Sequence, residues 1–196
     1  MRQLIALLTL VVGALVAVLI VSIASRDSKA NSSSEFDGSL LPPGVRAPDF
    51  DLRDQDGRRF SMADYRGKPM IVTFLYTHCK DTCPVEARLI NQAVKEIGRP
   101  TSVVAFSVDP PNDTAASVHA FLRKEQISEP MRWGLGTHAQ LQPVWKGYAV
   151  TPQREDEEHM ARIVLVDKRG MQRVGYPFTQ TTPGRIAHDM RLLAAE

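Results

Sequence analysis

Hydrophobic and polar positions divide this chain into three stretches. Leu4 to Ala24 is a nearly unbroken apolar run, broken mildly by Thr9, Gly13 and Ser22. As a helix it would span ~32 Å at ~1.5 Å per residue, enough to cross a bilayer core. A cleaved signal peptide has a shorter apolar core of ~7–15 residues, so residues 1–25 read as a retained transmembrane anchor. Ser22-Ile23-Ala24 before Ser25 nevertheless offers a small-x-small cleavage pattern. The position at the extreme N-terminus and the lack of a polar face argue against a buried core helix. Residues 26–44 lose all periodicity and are rich in Ser, Asn, Gly and Pro, which predicts a flexible tether.

From residue 45 to 196 the pattern alternates between strand and helix periods. Phe50–Leu52 and Arg59–Ser61 flank the turn Asp54-Gln55-Asp56-Gly57, a hairpin signal. Met70–Tyr76 (MIVTFLY) suits a buried central strand. Pro84–Ile97 places Val85, Leu89, Val94 and Ile97 at near-helical spacing, with Gly98 to end the helix. Ser102–Val108 is a second buried strand. Asp113 or Thr114 can cap a helix to about Glu125 that turns Val118, Phe121 and Leu122 inward. Ile163–Val166 and Arg173–Tyr176 pair around the turn Lys168-Arg169-Gly170, and Thr182-Pro183 opens a last helix to Ala195. This order predicts an α/β fold of the thioredoxin type, a three-layer α/β/α sandwich with an N-terminal hairpin.

Composition narrows the function classes. At 43% hydrophobic and 23% charged, the chain is too apolar for disorder. A net charge of +2 excludes a dedicated nucleic-acid binder with a strongly basic face. Cys79 and Cys83 are the only two cysteines, so multi-bridge frameworks and four-cysteine zinc sites are excluded.

The two cysteines follow the MIVTFLY strand and open the next helix. At i and i+4 on a first helical turn, their Cβ atoms would lie ~5–6 Å apart on one face. Two sulfurs so placed can converge on one metal ion or, with slight adjustment, close a disulfide. The helix N-terminus and Lys80 favour thiolates. A disulfide around three residues would constrain the unfolded chain little, so stability is a poor reason for the pair. Soft ligands select copper(I), zinc or iron–sulfur chemistry, and two of them call for a third ligand. Of the histidines, His119 and His188 fall inside helices, His138 starts one, and His78 should point away from the sulfurs. His159 ends the acidic loop Glu155–Glu158 before the strand Ile163–Val166, on the side that a thioredoxin-type sheet turns toward the cysteines. It is a candidate ligand. Asp109 is a candidate for a carboxylate beside the site or for a structural role, Asp113 is a helix cap, and Trp133 and Trp145 are packing residues.

The segment Tyr76-Thr77-His78-Cys79-Lys80-Asp81-Thr82-Cys83-Pro84 resembles the Y-T-x-C-x-D-x-C-P box of the Sco/SenC family. Phe106–Pro110 followed by Asp113-Thr114 is similar to its S-V-D-P-x-x-D-T segment, and His159 before Leu165-Val166-Asp167 matches the place of its ligand histidine. The resemblance covers about Gly44–Leu193. It implies a thioredoxin-like domain in which Cys79, Cys83 and His159 hold copper as Cu(I), with Cu(II) tolerated, and Cys79 and Cys83 can also act as a redox pair. It implies a metallochaperone whose partners are a copper donor and the copper-site subunit of cytochrome c oxidase. Two positions depart from the family: Lys80 stands where proline is usual, and Met160 where a small hydroxyl residue is usual. Met160 reads as the start of the strand core rather than as an extra ligand.

Two other functions fit parts of the pattern. A thiol–disulfide oxidoreductase without a physiological metal would need both cysteines but not His159, and such proteins typically space their cysteines by two residues rather than three. A peroxiredoxin-like peroxidase fits Ala47–Phe50 and Gly67–Pro69, but would want threonine three residues before its cysteine, where Lys80 and Tyr76 stand. Arg2 on one side of the apolar run and Arg26 with Lys29 on the other leave the topology undecided by charge. The chemistry favours a single-pass cell-membrane protein with its domain outside the cytoplasm.

Overall fold

A computed structural model describes residues 35–153 and 162–196. The predicted anchor and residues 26–34 of the predicted tether, together with His159 and Met160, lie outside the described residues. Among the described residues no helix is long and apolar enough to cross a membrane. The unit Phe36–Glu196 holds, in chain order, strands β1 (Ser39–Leu40), β2 (Asp51–Arg53), β3 (Arg59–Ser61), β4 (Met70–Leu75), β5 (Ser102–Ser107), β6 (Arg132–Gly134), β7 (Arg162–Val166) and β8 (Gln172–Pro177). Its described helices are α1 (Thr82–Ile97), α2 (Ala115–Lys124), α3 (His138–Gly147) and α4 (Pro183–Ala195).

β4 lies inside the sheet because all six of its side chains are apolar or, at Thr73, internally bonded, and all six are buried. It runs parallel to β5 and antiparallel to β7 in a six-stranded sheet of order β1-β8-β7-β4-β5-β6. The two-residue period of the strands sorts side chains to opposite faces. Ile71, Leu75, Val103, Ala105, Ile163 and Leu165 face one core with the apolar stripes of α1, α2 and α4. Met70, Val72, Phe74, Val104, Phe106 and Val164 face a second core with the hairpin β2–β3 and α3. Three layers result, as the alternation predicts.

α1 ends where expected: Gly98 takes the left-handed conformation at φ 69° and its N–H reaches the Val94 carbonyl. That backbone would strain any residue with a Cβ. Thr182 caps α4, with Pro183 in its first turn. The sequence pattern misses β6, a three-residue edge strand too short to carry a period, and it identifies α3 only through the helix start at His138. Trp133 and Trp145 are core residues, 0% and 2% exposed. The assignment of Asp113 as a cap is corrected by the structure. Thr114 caps α2 through its side chain, accepting the Ser117 N–H, while Asp113 turns inward.

At the N-terminal edge, Asp189 of α4 fastens the incoming chain. Its two oxygens accept the N–H groups of Asp37 and Gly38 at 2.8 and 2.9 Å and the Tyr176 hydroxyl at 2.5 Å. His188 and Asp37 lie beside it, forming a group with metal-ligand spacing. These hydrogen bonds already give Asp189 a structural role.

Candidate metal and thiol site

Cys79 and Cys83 sit at the carboxyl end of β4, where the chain leaves the sheet for α1. Cys83 is the second residue of α1, but Cys79 precedes the helix in a tight turn, its N–H directed at the Tyr76 carbonyl. The expected placement of both cysteines on one helical turn is therefore corrected. The turn, rather than helical periodicity, folds Cys79 back over the helix start. There its sulfur accepts the Cys83 backbone N–H at 3.3 Å and lies 3.7 Å from Thr82 Oγ1.

Both cysteines are free thiols. Cys83 is fully buried and Cys79 is 8% exposed, so Cys79 is the outer of the two. Their environments drive them apart. Hydrogen bonding from the Cys83 thiol, reinforced by backbone N–H groups and Thr82 and opposed by burial, lowers the Cys79 pKa to about 4. The neighbouring Cys79 sulfur and burial push the Cys83 thiol up. Tyr76, which closes this turn, is also pushed up, first by burial and then by Cys79. The pair thus offers one thiolate near the surface and one buried thiol behind it. Soft paired donors of this kind suit copper(I).

The loop carrying Cys79 is clamped from the next crossover. Asp113, 6% exposed, accepts the Thr77 N–H and the Thr77 hydroxyl at 2.8 Å each on Oδ1, and the Ser107 hydroxyl at 2.5 Å on Oδ2. Burial raises its pKa against the pull of these donors. Asp109 is taken up locally, both of its carboxylate oxygens accepting from Asn112 Nδ2 at 3.0 Å. Beneath the pair, Glu86 of α1 is 1% exposed. One of its oxygens accepts the Thr73 hydroxyl at 2.5 Å, and the other has no hydrogen-bond partner. Burial lifts its pKa to about 7, opposed by Thr73 and helped by Cys79. Sequence reasoning missed Glu86, although a signal was present. It stands three residues after Cys83 on a stripe continued by Ala87 and Ile90, an acidic residue on a face that must be buried.

Among the described residues, no histidine or carboxylate joins the two sulfurs in a cluster with metal-ligand spacing. His78 Nδ1 lies 3.2 Å from Thr77 Oγ1, His119 meets Gln55 and Asp56 of the hairpin turn, and His138 packs edge-on against Trp145. The fourth, His188, is exposed on α4. His159 lies outside the described residues.

A thiol pair at the start of the first helix after a central strand, in this sheet order, defines a thioredoxin-like fold. Comparison narrows the class. The sequence profile of the SCO1/SenC family matches residues 42–195, and the chain belongs to that family. It is 32% identical over 147 residues to the mitochondrial SCO2 homolog of Bos taurus, covering 68% of this chain and 54% of that protein. The chain thus spans about half the length of such relatives. It superposes on copper-bound ScoI of Bradyrhizobium japonicum with a TM-score of 0.64 at 27% identity, covering 75% of this chain and 98% of that one. BsSco, a member of the Sco family of cytochrome c oxidase assembly proteins in which a disulfide switch was identified, shares the fold. Its TM-score is 0.67 at 22% identity, covering 78% of this chain and 95% of that one.

Proposed function

We propose that this protein is a membrane-tethered metallochaperone that holds copper with Cys79, Cys83 and His159 and delivers it to the copper site of cytochrome c oxidase. The observation that carries the reading is the Cys79–Cys83 pair, an outer sulfur hydrogen-bonded by the helix start that bears the inner one. Two thiolates and a neutral imidazole form a soft, nearly trigonal donor set for copper(I). The copper-bound relative supports copper as the cargo. The outer position of Cys79 supports ligand exchange beginning there, because an incoming thiolate of the recipient reaches it first. Leu4–Ala24 supports the tether, and the thiol chemistry favours a domain outside the cytoplasm. Titrating copper(I) into the reduced full chain and into His159→Ala tests the donor set. One copper bound tightly by the first and weakly by the second is expected, and indistinguishable binding overturns the role of His159.

The pKa asymmetry of the pair favours a second, compatible activity: reduction of the recipient's cysteines before metal transfer. The Cys79 thiolate attacks the partner disulfide, forming a mixed disulfide and releasing one partner thiolate. Cys83 gives up its proton and attacks the Cys79 sulfur. The second partner thiolate leaves, two electrons have passed to the partner, and the chain is left with a Cys79–Cys83 disulfide for an external dithiol to reduce. His159→Ala should retain this activity while losing copper, which separates the two.

A further inference from the structure

The pole of the sheet opposite the thiols carries cations that the copper reading does not use. β4 and β5 start there, α1 ends there, and the turn between β7 and β8 closes it. The six residues of β4 put ~20 Å between this pole and the cysteine turn, at ~3.3 Å per residue. Lys68 precedes β4, Lys95 lies in the last turn of α1, Arg99 in the α1–β5 loop, and Lys168 in the β7–β8 turn. Between them they line two adjoining cavities of about 1010 and 230 Å³, which share Lys68, Arg99 and the segment 100–102. None of these four cations has a carboxylate partner among the described residues, whereas Arg132 on the same wall is paired with Asp54 at 2.9 Å. The acids of the wall are Asp64 and Glu129, and Asp64 is occupied in accepting the Ser61 N–H.

The C-terminal dipole of α1 accounts for Lys95 and Arg99 but not for Lys68 and Lys168, which come from other segments. Tyr65, 7% exposed, forms part of the larger cavity's wall beside Arg132.

We propose that this pole is a docking surface for anionic phospholipid headgroups, which turns Cys79 and Cys83 away from the bilayer. The proposal rests on the anchor reading of Leu4–Ala24. Cations spread over four segments of one end match an array of phosphates better than a single enclosed ligand. Residues 25–35 lie between the apolar run and the folded unit, and their eleven residues reach at most ~36–40 Å. α1 is ~24 Å long. The connecting stretch is thus long enough for either pole to meet the membrane, so its length does not oppose docking through this one.

The test compares the full chain in vesicles of pure phosphatidylcholine with vesicles one-third phosphatidylglycerol, read by hydrogen exchange at Gly98–Ser102. Each basic residue at an anionic surface is worth roughly fivefold in partitioning. Protection should rise at least tenfold in the anionic vesicles. It should vanish in 1 M salt, where the Debye length is ~3 Å, and in the triple variant Lys68→Gln/Arg99→Gln/Lys168→Gln. Equal exchange in both vesicles overturns the docking surface. The same protection from inorganic phosphate with neutral vesicles also overturns it, in favour of a free-phosphate site. Cosedimentation with neutral vesicles reports the anchor separately. A chain that sediments only with anionic vesicles retains docking without the anchor, and one that sediments with neither loses both.

Discussion

The hydrogen bond between Cys79 and Cys83 divides their chemistry, and burial adds to the rise at Cys83. An ordinary thiol gains alkylation rate about tenfold per pH unit up to a pKa of ~8.5. With its pKa lowered to about 4, chiefly by the Cys83 thiol, Cys79 should react with iodoacetamide at a rate nearly flat from pH 5.5 to 8. Cys83→Ala removes that donor and should move the inflection back toward the ordinary range, whereas a flat profile in the variant would contradict the assigned cause. Glu86 supplies a second pH signature. Its folded pKa of about 7 lies above the usual carboxylate value, so its contribution to stability is intact below about pH 4.5 and is lost as pH rises through 7. From this shift, roughly 3 kcal/mol separates the two limits. Glu86→Gln should therefore gain on the wild type between pH 5 and 8 in denaturant titrations. A difference that does not change with pH would place the proton elsewhere.

At the scale of elements, the site depends on two crossovers that meet at the carboxyl ends of β4 and β5. Asp113, in the second crossover, holds Thr77, two residues before Cys79, by two hydrogen bonds. Hydrogen bonds to a charged group are worth roughly 1.5–3 kcal/mol each, so Asp113→Ala should cost about 2–4 kcal/mol and speed amide exchange at Thr77–Lys80. Thr114→Ala removes only the α2 cap, should cost about 1 kcal/mol, and should leave that exchange unchanged. Equal effects of the two variants on the loop would refute the clamp. The same pair marks what the sequence discloses. Strands such as Met70–Leu75 and helix ends such as Gly98 and Thr182 were legible, because burial period, left-handed backbone and capping are local properties. The direction of Asp113 was not, because adjacent Asp113 and Thr114 are both good caps and a contact 36 residues away in Thr77 decides between them. β6 was illegible because three residues carry no period, whereas Glu86 left a signal, a carboxylate on the apolar stripe of α1.

At the scale of the molecule, the folded unit places thiols at one pole and, at the other, cations without a carboxylate partner among the described residues, and the sequence before it carries an apolar run of membrane-spanning length. The closeness of the two sulfurs was legible from their spacing, although the turn that produces it was not; the expectation that His159 completes the set rests on its loop position and on resemblance to the SCO1/SenC family. The copper reading depends on whether those three side chains form one site. The most direct measurement is therefore the copper(I) stoichiometry and affinity of the reduced full chain beside Cys79→Ser, Cys83→Ser and His159→Ala, set by competition with a chromophoric chelator. The account predicts one copper per chain and a loss of affinity in each variant, tenfold or more at the histidine, while thiol reactivity of His159→Ala is kept. Unaltered affinity in His159→Ala, or binding that survives loss of either cysteine, would contradict it.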